Sequence, residues 1–285
     1  MGSILIQSAT IWDATGDDPF VGDILIEGNR ISAVSRKGVQ LFAQGAEVID
    51  GSGLFLMPGM TEGHAHLSFE NVTRTEDLIT PSPEQQVFTA ARGAKALLDA
   101  GFTSAYGASE AKLRLAVAVR DEVNAGRLPG PRIRAGGLEI SVTGAMGDEG
   151  KEHDPRTGPA TIVDGVDEMR RAVRLHCREG VDNVKLDVSG DPFYPSTPGH
   201  TTPMTFDEIR VAAETAHSYG RKINAHTRSV EGSKACIRAG VDGLFHCEYS
   251  DDELLDMMED AKERIFVAPT VGLFHQIMNG EASGH

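Results

Sequence analysis

The chain has 285 residues, of which 40% are hydrophobic and 24% charged. That is enough for one large globular domain, or one domain with a small accessory. With 27 Lys and Arg against 42 Asp and Glu, the net charge of −15 argues against nucleic acid or an anionic membrane as a partner. The three cysteines, Cys177, Cys236 and Cys247, form no Cys-x-x-Cys spacing and read as reduced thiols in a cytoplasmic setting, not as a disulfide framework or zinc ribbon.

The opening stretch has no cationic segment followed by a long apolar one, so no signal peptide is expected, and no run approaches the length of a membrane span. Residues 1–57 read as short strands. Gly28-Asn29 sits between two Ile-rich runs as a two-residue hairpin turn, and "EVIDGSGLFLMPG" gives two more apolar runs about a glycine. This predicts a small, incomplete β-sandwich unit over 1–57, followed by a second domain over 58–285.

From residue 54 the pattern changes to alternating strands and helices. Strands are expected at 55–57, 102–106, 132–135, 184–188, 223–226, 244–247 and 265–271. Three helix ends meet a glycine (Gly101, Gly180, Gly240) before the next strand, and "TFDEIRVAAETAHSYG" opens on a capping box of Thr205 and Glu208. Repeated units of this size imply an α/β fold with a parallel sheet, open or closed into a (β/α)8 TIM-type barrel. Two connections rich in Gly, Pro, Asp and His, "SVTGAMGDEGKEHDPRTGPATIVDG" and "SGDPFYPSTPGHTTPM", have the length of functional loops. "DDELLDMMEDAKE" reads as a solvated helix face with Leu and Met inside.

Ionisable residues collect at strand ends. "PGMTEGHAHL" places His64 and His66 two apart. On a strand both imidazoles point to one side, about 6–7 Å apart, a spacing that suits one metal ion or equally one solvated and one packed histidine. In "VDNVKLDVSG", Lys185 and Asp187 share the face opposite Val184, Leu186 and Val188. A lysine buried mid-strand is costly on any account. "KINAHT" ends in His226, and "GLFHCEY" in His246 followed by an outward Cys247. In a barrel these ends meet at one mouth.

The sequence resembles the amidohydrolase superfamily. "IDGSGLFLMPGMTEGHAHL" is similar to its strand-one signature, with Glu62 where an Asp is usual, and Lys185, His226 and His246 follow in the family's order. "VDNVKLDVSG" and "INAHTRS" resemble its imidazolonepropionase-related, prolidase-like and aryl-amide-hydrolysing branch. The resemblance implies that His64 and His66 bind one divalent metal and that His226 and His246 bind a second. Lys185, carboxylated by CO₂, would bridge them. The metal would be zinc, with manganese or iron as alternatives. Lys185 and His246 are the implied catalytic residues, acting on a C–N bond of a small-molecule amide such as an N-acyl amino acid, dipeptide or aryl amide.

The family's strand-eight Asp has no counterpart before "VGLFHQIMNGEASGH", and neither His275 nor His285 is a substitute. The chain therefore resembles the first two-thirds of such an enzyme. This leaves a second expectation, a non-catalytic truncated barrel that needs another chain. The open strand edges imply self-association or a completing chain. Hydrolysis of phosphate esters or lactones is the weaker third reading.

Overall fold

The computed structural model describes residues 2–36, 38–192, 194 and 196–279 and divides into two units, Met1–Met60 and Thr61–His285. In the first, the alternating run Ser3–Ile11 forms β1, followed by β2 (Phe20–Glu27), β3 (Arg30–Val34), β4 (Glu47–Asp50) and β5 (Phe55–Leu56). Gly28, at φ 63°, makes the expected tight turn between β2 and β3. The strand order is β3-β2-β1-β4, with β5 also on β1. Leu5, Ala9, Ile11 and Ile24 are buried, whereas Ile31, Val48 and Phe55 are exposed. The described residues of this unit form one five-stranded sheet, the small N-terminal β unit expected from the sequence. Residues 55–57 are not the first barrel strand either, because β5 pairs with β1.

The second unit runs β6 (Met60–Ala65), α1 (Glu76–Ile79), α2 (Pro83–Asp99), β7 (Phe102–Gly107), α3 (Leu115–Asn124), β8 (Arg132–Arg134), β9 (Glu139–Ser141) and β10 (Ala160–Ile162). It continues through α4 (Gly165–Arg178), β11 (Asn183–Asp187), α5 (Phe206–Ser218), β12 (Lys222–Thr227), α6 (Val230–Ala239), β13 (Gly243–His246), α7 (Asp252–Ala261), β14 (Phe266–Ala268) and α8 (Val271–Met278). The helix signals act as read: Thr205 and Glu208 cap α5, and Gly101, Gly180 and Gly240 take φ of 90°, 92° and 84° after their helices; Ser82 and Gln85 form a second capping box on α2.

Two parallel sheets result, β6-β7-β8 and β10-β9-β11-β12-β13-β14. They provide the successive strands of a TIM-type barrel as an arc that does not close among the described residues. The third strand position is split. β8 stops before Gly136-Gly137, where a side chain on Gly136 would lie 2.9 Å from the Gly107 carbonyl oxygen, and the chain resumes as β9 beside β11. The expected strand 265–271 is only β14, because Pro269 and Thr270 (φ 54°) turn the chain into α8. His275 therefore lies on a helix and not in a loop, and His285 is outside the described residues. The first long connection contains β10. On α7 Leu254 is buried but Leu255 faces solvent.

Both faces of β11 are covered, as parallel strands require. Val184, Leu186 and Val188 pack into the core, and Lys185 and Asp187 are as deeply buried on the other side. Cys177 on α4, Cys236 on α6 and Cys247 are buried thiols without disulfide partners, and Ser233 donates to Cys247 Sγ at 3.8 Å, on the helix side as read. Gly93 of α2 sits against the backbone after His66, where a Cβ would come within 2.2 Å of the Leu67 carbonyl oxygen. No helix among the described residues is long and apolar enough to cross a membrane.

Candidate metal centre

Parallel strands of one arc end on the same side, so the ionisable residues of β6, β11, β12 and β13 meet. His64, His66, Lys185, His226 and His246 line one cavity of about 380 Å³. Ring centroids are 4.9 Å apart for His64 and His66, 5.1 Å for His64 and His246, and 4.5 Å for His226 and His246. Glu62, the residue that departs from the family signature, accepts from the His64 amide at 2.8 Å. His246 and Cys247 take φ of 77° and 62°. Two consecutive non-glycine residues in the left-handed region are strained, and here the strain marks the strand end that carries the imidazole.

Three of the rings have one nitrogen engaged. His226 Nε2 faces the Gly190 carbonyl at 3.1 Å, and since a carbonyl only accepts, that nitrogen donates and Nδ1 keeps its lone pair. His246 Nδ1 meets Thr270 Oγ1 at 2.7 Å, and His66 Nδ1 meets the Ser109 carbonyl at 2.9 Å. His64 Nδ1 is buried with no hydrogen-bond partner, and its ring stacks on Phe245 at 4.1 Å. Burial, then the neighbouring cations, holds all four histidines below the usual imidazole range. His66 and His226 fall to about 4, and His64 and His246 are lowered strongly. They are neutral at physiological pH, which is the ligating form.

Four carboxylates, Glu139, Asp187, Asp191 and Glu248, stand close to these groups, and of them the sequence had singled out only Asp187. Lys185, 1% exposed, lies 3.5 Å from Glu139 Oε1 and 3.8 Å from Asp187 Oδ1. Burial pushes Glu139 up, but Lys185 and then His66 pull it further down, to about 2. Asp187 goes the other way, raised by burial and by Glu139. Across the cavity, Arg228 pairs with Asp191 at 2.9 Å and with Glu248. The signal for Glu139 was available, since "GGLEISV" sets one ionisable residue in an apolar run, as "NVKLDV" does for Lys185. Asp191 and Thr270 lie in connections, where no periodicity marks them.

Glu110 is a further missed acid. It accepts from Leu67 N at 3.1 Å, Ser68 N at 2.8 Å and Ser68 Oγ at 2.5 Å, clamping the turn after His66. Burial raises its pKa to about 7 in spite of those bonds. A carboxyl raised from its ordinary value of 4.5 stabilises the fold fully below pH 4.5, and the contribution is lost as pH rises through 7. Stability should therefore fall by roughly 3 kcal/mol over that window from this group. Denaturant unfolding of Glu110→Gln at pH 4.5 and 7.5 should show the slope flattened. A slope unchanged from the parent protein would clear Glu110 of this role.

Among the described residues, no three His, Cys, Asp or Glu groups already stand at ligating positions. The donor set nonetheless fits a divalent ion. It comprises neutral imidazoles with nitrogens unspent, the orphaned His64 Nδ1, and buried carboxylates facing a lysine.

The sequence profile of the Amidohydrolase family matches residues 55–268. The chain belongs to the amidohydrolase family. All five residues singled out from the sequence fall inside that span. The chain is 30% identical over 237 residues to ochratoxinase of Aspergillus niger, a match covering 75% of this chain and 47% of that protein, so it spans about half the length of this curated relative. A crystal structure of a Xaa-Pro dipeptidase with bound methionine in its active site superposes with a TM-score of 0.87 at 28% identity, over 99% of this chain and 70% of that one. The A. niger ochratoxinase crystal structure, at 23% identity and a TM-score of 0.83, shares the fold over 99% of this chain and 68% of that one. The chain thus carries, as an open arc among the described residues, strands and helices of the family's TIM-type barrel together with a small N-terminal β unit.

Proposed function

We propose that this chain carries the metal-binding mouth of a hydrolase that cleaves the C–N bond of a small-molecule amide. The observation that carries the reading is the convergence of His64, His66, Lys185, His226 and His246 on one cavity, with Phe69, Leu78, Met146 and Pro159 supplying an apolar wall beside them. Substrates with an apolar flank, such as N-acyl amino acids, Xaa-Pro dipeptides or aryl amides, suit that wall, and the ochratoxinase and dipeptidase relatives support the same chemistry.

His64 and His66 would hold one divalent ion and His226 and His246 a second, zinc before manganese or iron. Such ions polarise a carbonyl and lower the pKa of water to about 7. Lys185 is the proposed bridging group. The ammonium first gives up one proton, the resulting neutral amine attacks CO₂ to form the N–C bond, and a second proton leaves, so that a buried cation becomes a carbamate anion with two protons released. His246, with Nδ1 held by Thr270 Oγ1, presents its other nitrogen to the cavity. Lys185 and His246 are the proposed catalytic residues. The apolar wall excludes water and positions the flank of the substrate.

The chain, loaded with zinc, should hydrolyse members of an N-acyl amino acid, Xaa-Pro and aryl-amide panel, with turnover removed by a chelator and restored by zinc. Absence of amide cleavage by stoichiometrically metallated protein would reject the reading for the chain alone. A second reading has the site completed by a further segment or chain. The open arc favours it, because β6 and β14 each lack a strand neighbour on one side among the described residues. Light scattering that shows a stable oligomer, or activity gained only in a mixture with a completing chain, would favour it.

A further inference from the structure

We propose that Glu139 is a positioning residue that fixes the tautomer of His66 through Ser109 and so keeps His66 Nε2 open toward the cavity. The proposal rests on the reading of His66 as a metal ligand, but its geometry stands apart from that reading.

Ser109 Oγ lies 2.9 Å from Glu139 Oε1 and 3.0 Å from His66 Nδ1. A hydroxyl has one proton to give and otherwise only accepts. A carboxylate cannot donate, so the proton goes to Glu139, and Ser109 Oγ turns lone pairs toward His66. The Ser109 carbonyl, 2.9 Å from the same nitrogen, also only accepts. Two acceptors on Nδ1 require the proton there, and Nε2 is left with its lone pair. Phe69, stacked on the ring at 4.3 Å, holds its plane. Lys185 Nζ, 3.5 Å from the same Oε1, holds the carboxylate in place.

His246 shows the same logic with a different last member. Thr270 Oγ1 faces His246 Nδ1 at 2.7 Å and gives its proton to the Pro269 carbonyl at 2.8 Å. There a backbone oxygen ends the chain, and no side-chain substitution alters it. At His66 the chain ends on a side chain, and replacing Glu139 by an amide introduces a donor. That donor can take a Ser109 Oγ lone pair and release the hydroxyl proton toward His66 Nδ1, in competition with the proton already there. Glu139 therefore links His66, just after β6, to Lys185 on β11.

The test begins with the metal-free 285-residue chain labelled with ¹⁵N-histidine, in which two-bond ¹H–¹⁵N correlations distinguish the tautomers. His66 is assigned by loss of its signals in His66→Gln. Nδ1–H is expected, and Nε2–H overturns the proposal whatever happens to the variants. Zinc titration then reads the consequence. Glu139→Gln should weaken zinc binding by about 10–100-fold, the usual cost of removing a partner behind a ligand. In a Ser109→Ala background the same substitution should cost much less, because the relay is already cut. An undiminished loss would assign Glu139 to Lys185 alone and overturn the relay. Parent protein that shows Nδ1–H yet binds no zinc would reject the metal reading and leave the tautomer assignment supported.

Discussion

His64→Ala combined with His66→Ala should abolish tight binding of the metal equivalent held by that pair, while His153→Ala leaves bound metal unchanged. The first pair removes two neutral imidazoles from one wall of the cavity, including the buried, unpartnered His64 Nδ1. His153 is an exposed residue of the connection between β9 and β10 and lines no part of that cavity. The double variant should stay folded, because the two rings line the cavity beside the packed core and are not its central members. Elemental analysis of the purified variants, with far-UV circular dichroism as a folding control, decides the matter. Metal content undiminished in the double variant would sink the assignment.

Lys185→Ala should lose one of two metal equivalents and destabilise the metal-free protein. Lys185 faces Glu139 and Asp187 in a fully buried setting. Its removal leaves acids without their cation, a change that costs about 3–5 kcal/mol when a buried pair is broken. Bicarbonate with a short-chain carboxylic acid should restore part of the second equivalent if a bridging anion is what the site lacks. The two effects separate the roles, since the stability loss belongs to the ammonium and the metal loss to the carbamate. An unmodified Lys185 in fully metallated protein, found by intact-mass measurement or crystallography, would refute carboxylation.

The elements most legible in the sequence were those with local causes. Gly101, Gly180 and Gly240 stop helices because each needs a left-handed backbone, and Thr205 with Glu208 starts one by satisfying its own amides. The convergence of His64, His66, Lys185, His226 and His246 was legible because a parallel arc leaves its strand ends on one side. The misread features depend on partners distant in sequence. Residues 55–57 are as apolar as a barrel strand, and only the presence of β1 as a pairing edge draws them into the N-terminal sheet. Strand three breaks because the backbones at Gly107 and Gly136 approach too closely for a side chain, a constraint no periodicity reveals. Glu139 and Glu110 were overlooked for a related reason. A glutamate in an apolar run has a meaning only once its partners, Lys185 and Ser109 for one, and the turn at Leu67 and Ser68 for the other, are in view.

The three thiols give the molecule a clock. Burial raises the Cys177 and Cys236 thiols above the usual range and takes Cys247 to about 11, so none offers a thiolate to an alkylating or oxidising reagent while the chain is closed. Their chemistry can start only when the surrounding structure lifts, and its rate then measures how often it does. The three report from different stations: one on α4, one on α6, and one on the strained turn beside His246. An ion that draws His246 into place would slow the last of these before the other two.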